Sequence, residues 1–272
     1  MNADALLREM GLMGSFQAFI LVVGLIMARM IPLLTMNPFL GGQLMPQNVK
    51  TGIAILIAAL VYKPLTAGFA HPIPTETLPY MALLLKETLF GACLGFLSAL
   101  VFLAVQTGGR ILDLARGANM ANILAPQTGE QVSLMGELQF QMSIVLFFML
   151  DGHHFFLRAL YKSFELVPLE DFPNFVQNVR PPALYLAWAS GQLFVIALLL
   201  AAPVVVATFL TDLVFGIMNR VSPQINVFFL AQPVKMIVGL VVVLFAIGFL
   251  TDQMQVHFAA MLRSVDYWIR LY

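Results

Sequence analysis

Six apolar stretches, Phe16 to Leu34, Gly52 to Tyr62, Met81 to Val105, Leu138 to Leu150, Ala183 to Leu210 and Met236 to Leu250, leave this chain few folds to choose from. In hydrocarbon every backbone N–H and C=O must be satisfied within the protein, so stretches of this kind are helices. Only 10% of the 272 residues are charged and 60% are hydrophobic, far from the quarter charged of a soluble domain. The reading is an all-α, membrane-associated protein. Its formal net charge is zero and no basic stripe occurs, which excludes a nucleic-acid binder. A single cysteine, Cys93, rules out an internal disulfide. At the start, Arg8 lies between Asp4 and Glu9, and the apolar run continues past Ala28 without a cleavage-like site, so a retained first helix is expected.

The stretches make an odd set of spans. About 20 helical residues cross a hydrocarbon core, and the second, fourth and sixth fall short. The first contains Arg29, and the third carries Lys86 beside Glu87, two neighbours that a helix points to different sides and that are expected not to pair. Such faults suggest helices partly surrounded by other protein. Gly91 and Gly95 form a small-xxx-small pair that lets a neighbouring backbone approach. Pro181 and Pro182 suit a helix start, Pro203 should kink the longest run, and Pro223 and Pro233 should force a hairpin or broken helix. Two segments, Lys63 to Thr77 and Asp151 to Arg180, read as polar linkers.

Between the third and fourth stretches lies a polar, glycine-studded insert, Gly108 to Gln131. Gly108, Gly109, Gly117 and Gly129 permit unusual backbone angles there. Asn119, Asn122, Gln127, Thr128 and Gln131 supply hydrogen bonds in place of regular helix, and Met120, Ile123 and Leu124 set apolar groups among them. Such a segment can seal a pore in one state and move aside in another; an ordinary surface loop would read the same way.

Other candidates are weaker. His153 and His154 beside Asp151 lack a second ligand pair, so a helix-end cluster is favoured over a metal site and no metal or cofactor is expected. Asp113, Asp212 and Asp252 are positioned as intramembrane proton carriers would be, but Asp113 has Arg110 and Arg116 at helical spacing and Asp212 has Arg220 in the same segment, which makes ion pairing the simpler expectation. No nucleophile elbow, Walker loop, dinucleotide fingerprint or HExxH motif is present, and no enzyme is expected.

Four ordered blocks resemble one family. LARGANMANILAPQTGEQVSLMG (Leu114 to Gly136) is similar to the central loop of the type III protein export gate subunit, the FliR/SctT family. NRVSPQINVFFLAQPVKMIVG (Asn219 to Gly239) resembles its C-terminal signature, with support from MARMIPLL, MPQNVKTGIA and LDGHHFFL. Arg116 to Ala118 and Thr128 to Gln131 look closer to the injectisome (SctT) branch than to the flagellar (FliR) branch.

The resemblance implies a non-enzymatic core subunit of a bacterial inner-membrane secretion apparatus, built of broken helices and helical hairpins in a right-handed spiral hetero-oligomer. Its partners would be several copies of FliP/SctR-like and FliQ/SctS-like subunits, an FlhB/SctU-like switch protein and the exported unfolded polypeptides. Residues 1–166 would correspond to the first partner, with a plug loop at 109–131, and 167–272 to the second. The gate role falls on Arg110, Asp113, Arg116, Gly117, Asn119, Met120, Asn122, Ile123, Leu124, Pro126, Gln127, Gly129, Glu130 and Gln131. Subunit packing falls on Asn219, Arg220, Pro223, Gln224, Asn226, Pro233 and Lys235. The rival from another class is a proton-coupled secondary transporter using Asp113 or Asp212; a structural membrane scaffold is the third reading.

Overall fold

The computed structural model describes residues 16–40, 45–69, 73–118, 133–172, 182–224 and 226–271. Among these the regular structure is helical: α1 Phe16–Met36, α2 Gln47–Thr66, α3 Thr77–Ala115, α4 Leu134–Met149, α5 Gly152–Leu166, α6 Pro182–Val221 and α7 Val227–Ile269. Five of them, α1, α2, α3, α6 and α7, are long and apolar enough to cross a membrane, or six spans if the bent pair α4 and α5 counts as one. The helices outrun the apolar stretches that announced them. At 1.5 Å per residue α6 and α7, with 40 and 43 residues, are about 60 and 65 Å long, twice a hydrocarbon core.

Two compact units divide the chain: residues 1–99, 153–187 and 261–272 form one, residues 100–152 and 188–260 the other. In the first, α1 packs on α2 and on the leading half of α3. Gly91 and Gly95 are where α3 and α1 touch backbone to backbone, because a Cβ on Gly91 would lie 2.9 Å from Arg29 Cα and one on Gly95 3.0 Å from Leu33 Cα. The small-xxx-small expectation therefore holds, and its partner is α1.

Arg29 is wholly buried in this unit and wholly engaged. Its Nε and Nη2 donate to the two oxygens of buried Glu87, the latter at 3.0 Å. Nη1 donates to Ser163 O at 2.9 Å, in the last turn of α5, and Nη2 to Val167 O at 2.8 Å, just past its end. Phe90 and Phe164 lie against the guanidinium, with ring centroids 4.7 and 4.3 Å from its carbon. Lys86 overturns the expectation that it cannot pair with its neighbour: Nζ sits 2.7 Å from Glu87 Oε1 and also donates to Pro168 O and Asp171 O. Helix geometry separates their Cβ atoms, but four methylenes let the ammonium swing back over its own turn.

The Asp151 to Arg180 segment is likewise not simply a linker, since α5 occupies its first half. Phe156, Leu160, Ser163 and Phe164 form one buried stripe at helical spacing, beneath charges that Arg158, Lys162 and Glu165 carry on the same helix. In the second unit α3, α4 and α7 meet at Phe102, Phe147 and Phe258, whose ring centroids are 4.9 to 5.4 Å apart. A second cluster, Leu112, Ala201, Val204 and Val243, packs α3, α6 and α7 together.

The prolines divide between helix ends and helix interiors. Pro182 opens α6 as its first residue, as expected. Pro203 and Pro233 lie inside continuous helices, so Pro233 does not break α7, while the expected hairpin turn between Val221 and Val227 contains Pro223. A proline removes one backbone bond, and the long apolar helices around it retain dozens.

Candidate functional site

α3 runs about three turns further than the third apolar stretch, so Gly108, Gly109, Arg110 and Asp113 are helical and the loop proper begins at Gly117. Gly108 and Gly109 are glycines for proximity, not for unusual angles. A Cβ on Gly108 would lie 3.1 Å from Ala197 O, and one on Gly109 2.5 Å from Gly136 Cα. Gly117 does take a left-handed backbone, at φ 74°. With Gly117 N donating to Leu114 O and Ala118 N to Asp113 O, both at 3.0 Å, it closes α3 in a Schellman cap.

The Asp113 carboxylate is the junction of the site. It is 3% exposed, and one oxygen receives Arg116 Nη2. The other accepts from Ser133 Oγ at 2.7 Å and from Met135 N at 3.0 Å. Ser133 in turn caps α4, its Oγ accepting from Gly136 N at 3.0 Å. A buried carboxylate thus sits at the positive N-terminus of α4, where backbone N–H groups and the helix dipole favour negative charge. The end of α3 and the start of α4 are tied together at the two edges of segment 119–132. Arg110, one turn earlier, is exposed and outside this knot.

Asn119, Met120, Asn122, Ile123, Leu124, Pro126, Gln127, Gly129, Glu130 and Gln131 lie outside the described residues. Ser133 escaped the sequence reading, although Ser-x-x-x-Glu ahead of an apolar run was a visible helix-start signal.

The second block folds into the α6–α7 hairpin. Asn219, Pro223, Gln224, Asn226 and Lys235 line a cleft of about 620 Å³, together with Asp212, Gln232 and apolar neighbours. Asp212 pairs with Lys235 Nζ at 2.8 Å instead of the expected Arg220, which is exposed. Asp212 and Lys235 face each other from opposing helices of the hairpin; Arg220 shares α6 with Asp212 eight residues on, too far along the helix. Asp212 and Asp252 are exposed, so of the three acids only Asp113 is buried. The same hairpin carries a long apolar surface: α7 has only 17% of its most hydropathic window buried, against 67% for α3. Phe228, Phe229, Ile237, Leu244 and Phe245 stand out from it.

The sequence profile of the bacterial export proteins, family 1, matches residues 20–261. The chain is 32% identical over 230 residues to the flagellar biosynthetic protein FliR of Bacillus subtilis, covering 84% of this chain and 85% of that one. It is also 32% identical over 217 residues to the Yop proteins translocation protein T of Yersinia pestis, covering 79% and 82%. The secretion system apparatus protein SsaT of Salmonella typhimurium matches at 32% over 165 residues, 61% of this chain and 62% of that one. The Bacillus FliR and the Yersinia translocation protein are matched at equal identity, so the expected preference for the injectisome branch is not shown. A profile that spans both signature blocks, and relatives of this similarity, leave one conclusion: the chain belongs to the bacterial export proteins, family 1, the FliR/SctT family of non-enzymatic membrane components of the type III export apparatus.

Proposed function

We propose that this chain is a core export-gate subunit whose loop, 109–131 by the family resemblance, plugs the channel taken by unfolded secreted polypeptides. The observation that carries the reading is the knot at Asp113. Arg116, just before segment 119–132, and Ser133 and Met135, just after it, bond to the same buried carboxylate, so the two described edges of the segment are fixed together. Arg110, Asp113, Arg116 and Gly117 then serve as the root. Asn119, Met120, Asn122, Ile123, Leu124, Pro126, Gln127, Gly129, Glu130 and Gln131 serve as the plug, with the apolar members excluding hydrated ions when closed.

The exposed faces of α6 and α7, twice as long as a bilayer core needs, support a chain clothed by neighbouring subunits. By the resemblance these are FliP/SctR-like and FliQ/SctS-like proteins in a right-handed spiral, with an FlhB/SctU-like switch protein nearby. Residues 1–166 and 167–272 would imitate the first and the second. Asn219, Arg220, Pro223, Gln224, Asn226, Pro233 and Lys235 are assigned to subunit packing, around the hairpin cleft.

The transporter alternative draws no support from the acids. A proton carrier must release its partners in each cycle, whereas Asp113 is held by Arg116, Ser133 and Met135, and Asp212 by Lys235. Deleting residues 119–125, which spares the root, tests the plug. Cells carrying the deletion should become permeable to small solutes while the chain still co-purifies with its partner subunits. Unchanged permeability in an assembled deletion complex would end the plug reading.

A further inference from the structure

The two sequence blocks that carry the family resemblance meet in the second unit, and they meet without side-chain room to spare. The stem of Arg116 crosses α7 at Gly239: a Cβ there would strike Arg116 Cδ and Cγ and come to 3.5 Å from Val204 Cγ1. Seven residues earlier on α7, on the same face, the amide of Gln232 presses on Gly117, where a Cβ would strike Oε1 and lie 3.1 Å from Cδ. Arg116 is 8% exposed, and its Nε and the Oε1 of Gln232 are both buried without a hydrogen-bond partner. A donor and an acceptor left unsatisfied at neighbouring contacts mean that packing against α7, together with the Nη2 bond to Asp113, fixes where Arg116 lies.

We propose that Gly239 and Gln232 are positioning residues for the plug: they form a seat on α7 in which Arg116 and Gly117 lodge, and the seat sets where the loop leaves α3. The functional half of this proposal rests on the plug reading. Its chain of action is short. Arg116 holds one oxygen of Asp113, and the other oxygen of Asp113 holds Ser133 and Met135, so a displaced Arg116 loosens the return end of the loop as well as its start. Gln232 also lines the hairpin cleft beside Asn219, Gln224 and Lys235, so the seat and the face assigned to subunit packing share a residue.

The two seat residues differ in stiffness. Gln232 touches Gly117 with the far end of a flexible side chain that can rotate away, whereas Arg116 meets Gly239 with mid-chain carbons and is tied to Asp113. Gly239 is therefore the decisive position.

The experiment is a cycle of Gly239→Ala, Arg116→Ala and the double variant in the full chain within its complex. It is read by the heat stability of the purified complex and by small-solute permeability of the cells. Gly239→Ala should lower the melting temperature by roughly 2–6 °C in the parent and by about zero in Arg116→Ala, where the stem it would strike is gone. Assembled Gly239→Ala complexes should also leak, as a purely structural packing residue would not make them do. Should Gly239→Ala prevent the chain from accumulating, adding Arg116→Ala should restore it. An equal thermal loss in both backgrounds, a Gly239→Ala complex that is stable and tight, or a double variant that fails to restore accumulation would each overturn the seat. Failure of the plug reading shows elsewhere, in an assembled 119–125 deletion that does not leak.

Discussion

Replacing Gly91 by alanine tests how the first unit is held together. The added Cβ would lie 2.8 Å from Arg29 C and 2.9 Å from Arg29 Cα, and nearer still to the carbonyl oxygen, where ordinary contact begins at 3.4 Å. All these atoms are backbone, so no rotamer change relieves the clash, and because the carbonyl oxygen is nearest α1 must retreat by roughly 1 Å or more. That retreat carries Arg29 away from Glu87, stretching the 3.0 Å bond from Nη2 out of hydrogen-bond range in a site where both charges are fully buried. Overpacking alone costs about 1–3 kcal/mol, and a fully broken buried pair about 3–5 kcal/mol. A partial loss of the pair places Gly91→Ala at roughly 2–4 kcal/mol, a fall in melting temperature of about 5–15 °C for a chain of this size. Gly95→Ala meets Leu33 Cα at 3.0 Å and needs a smaller shift, hence a smaller fall. Gly52 and Gly191 are helical with nothing within 4 Å of a Cβ, so alanine there should raise stability by about 0.5–1 kcal/mol through reduced freedom of the unfolded chain. Thermal unfolding of the four variants in detergent checks both order and sign. A Gly91→Ala chain as stable as Gly191→Ala would refute the close approach of α1 and α3, and with it the account of the Arg29 site.

Glu87→Gln should be among the most damaging single changes in the first unit, costing about 3–5 kcal/mol, because one carboxylate compensates both Arg29 and Lys86; unfolding should shift accordingly, and a loss below 1 kcal/mol would show that the carbonyls of α5 and the two aromatic rings suffice. Lys235→Met should cost less than about 1 kcal/mol in the isolated chain, since the side chain of its partner Asp212 is 52% exposed; a larger loss appearing only in the assembled complex would mark the hairpin cleft as buried there, which co-purification after salt washes would read.

Much of the local structure was legible because it is a matter of spacing. Hydropathy located most of the helices, and glycines four apart on α3 announced a close neighbour. What misled was charge and glycine read by type alone. The mixed charges of Asp151 to Arg180 concealed α5, whose buried stripe of Phe156, Leu160 and Phe164 shows only once the helix is placed against a core. Gly108 and Gly109 suggested a loop, yet they are helical and small because Ala197 and Gly136 pass close by.

By itself the sequence determined the solvent, the element type and the family: a backbone immersed in apolar residues has to satisfy its own hydrogen bonds, and only helices do so within one segment. The tertiary structure alone decided which charges share a site. Arg29 finds Glu87 at a separation of 58 residues and Ser163 at 134, and Asp113 finds Ser133 and Met135 across segment 119–132. No local pattern encodes such meetings, because a buried charge takes whatever partner the packing of backbones brings within three ångströms.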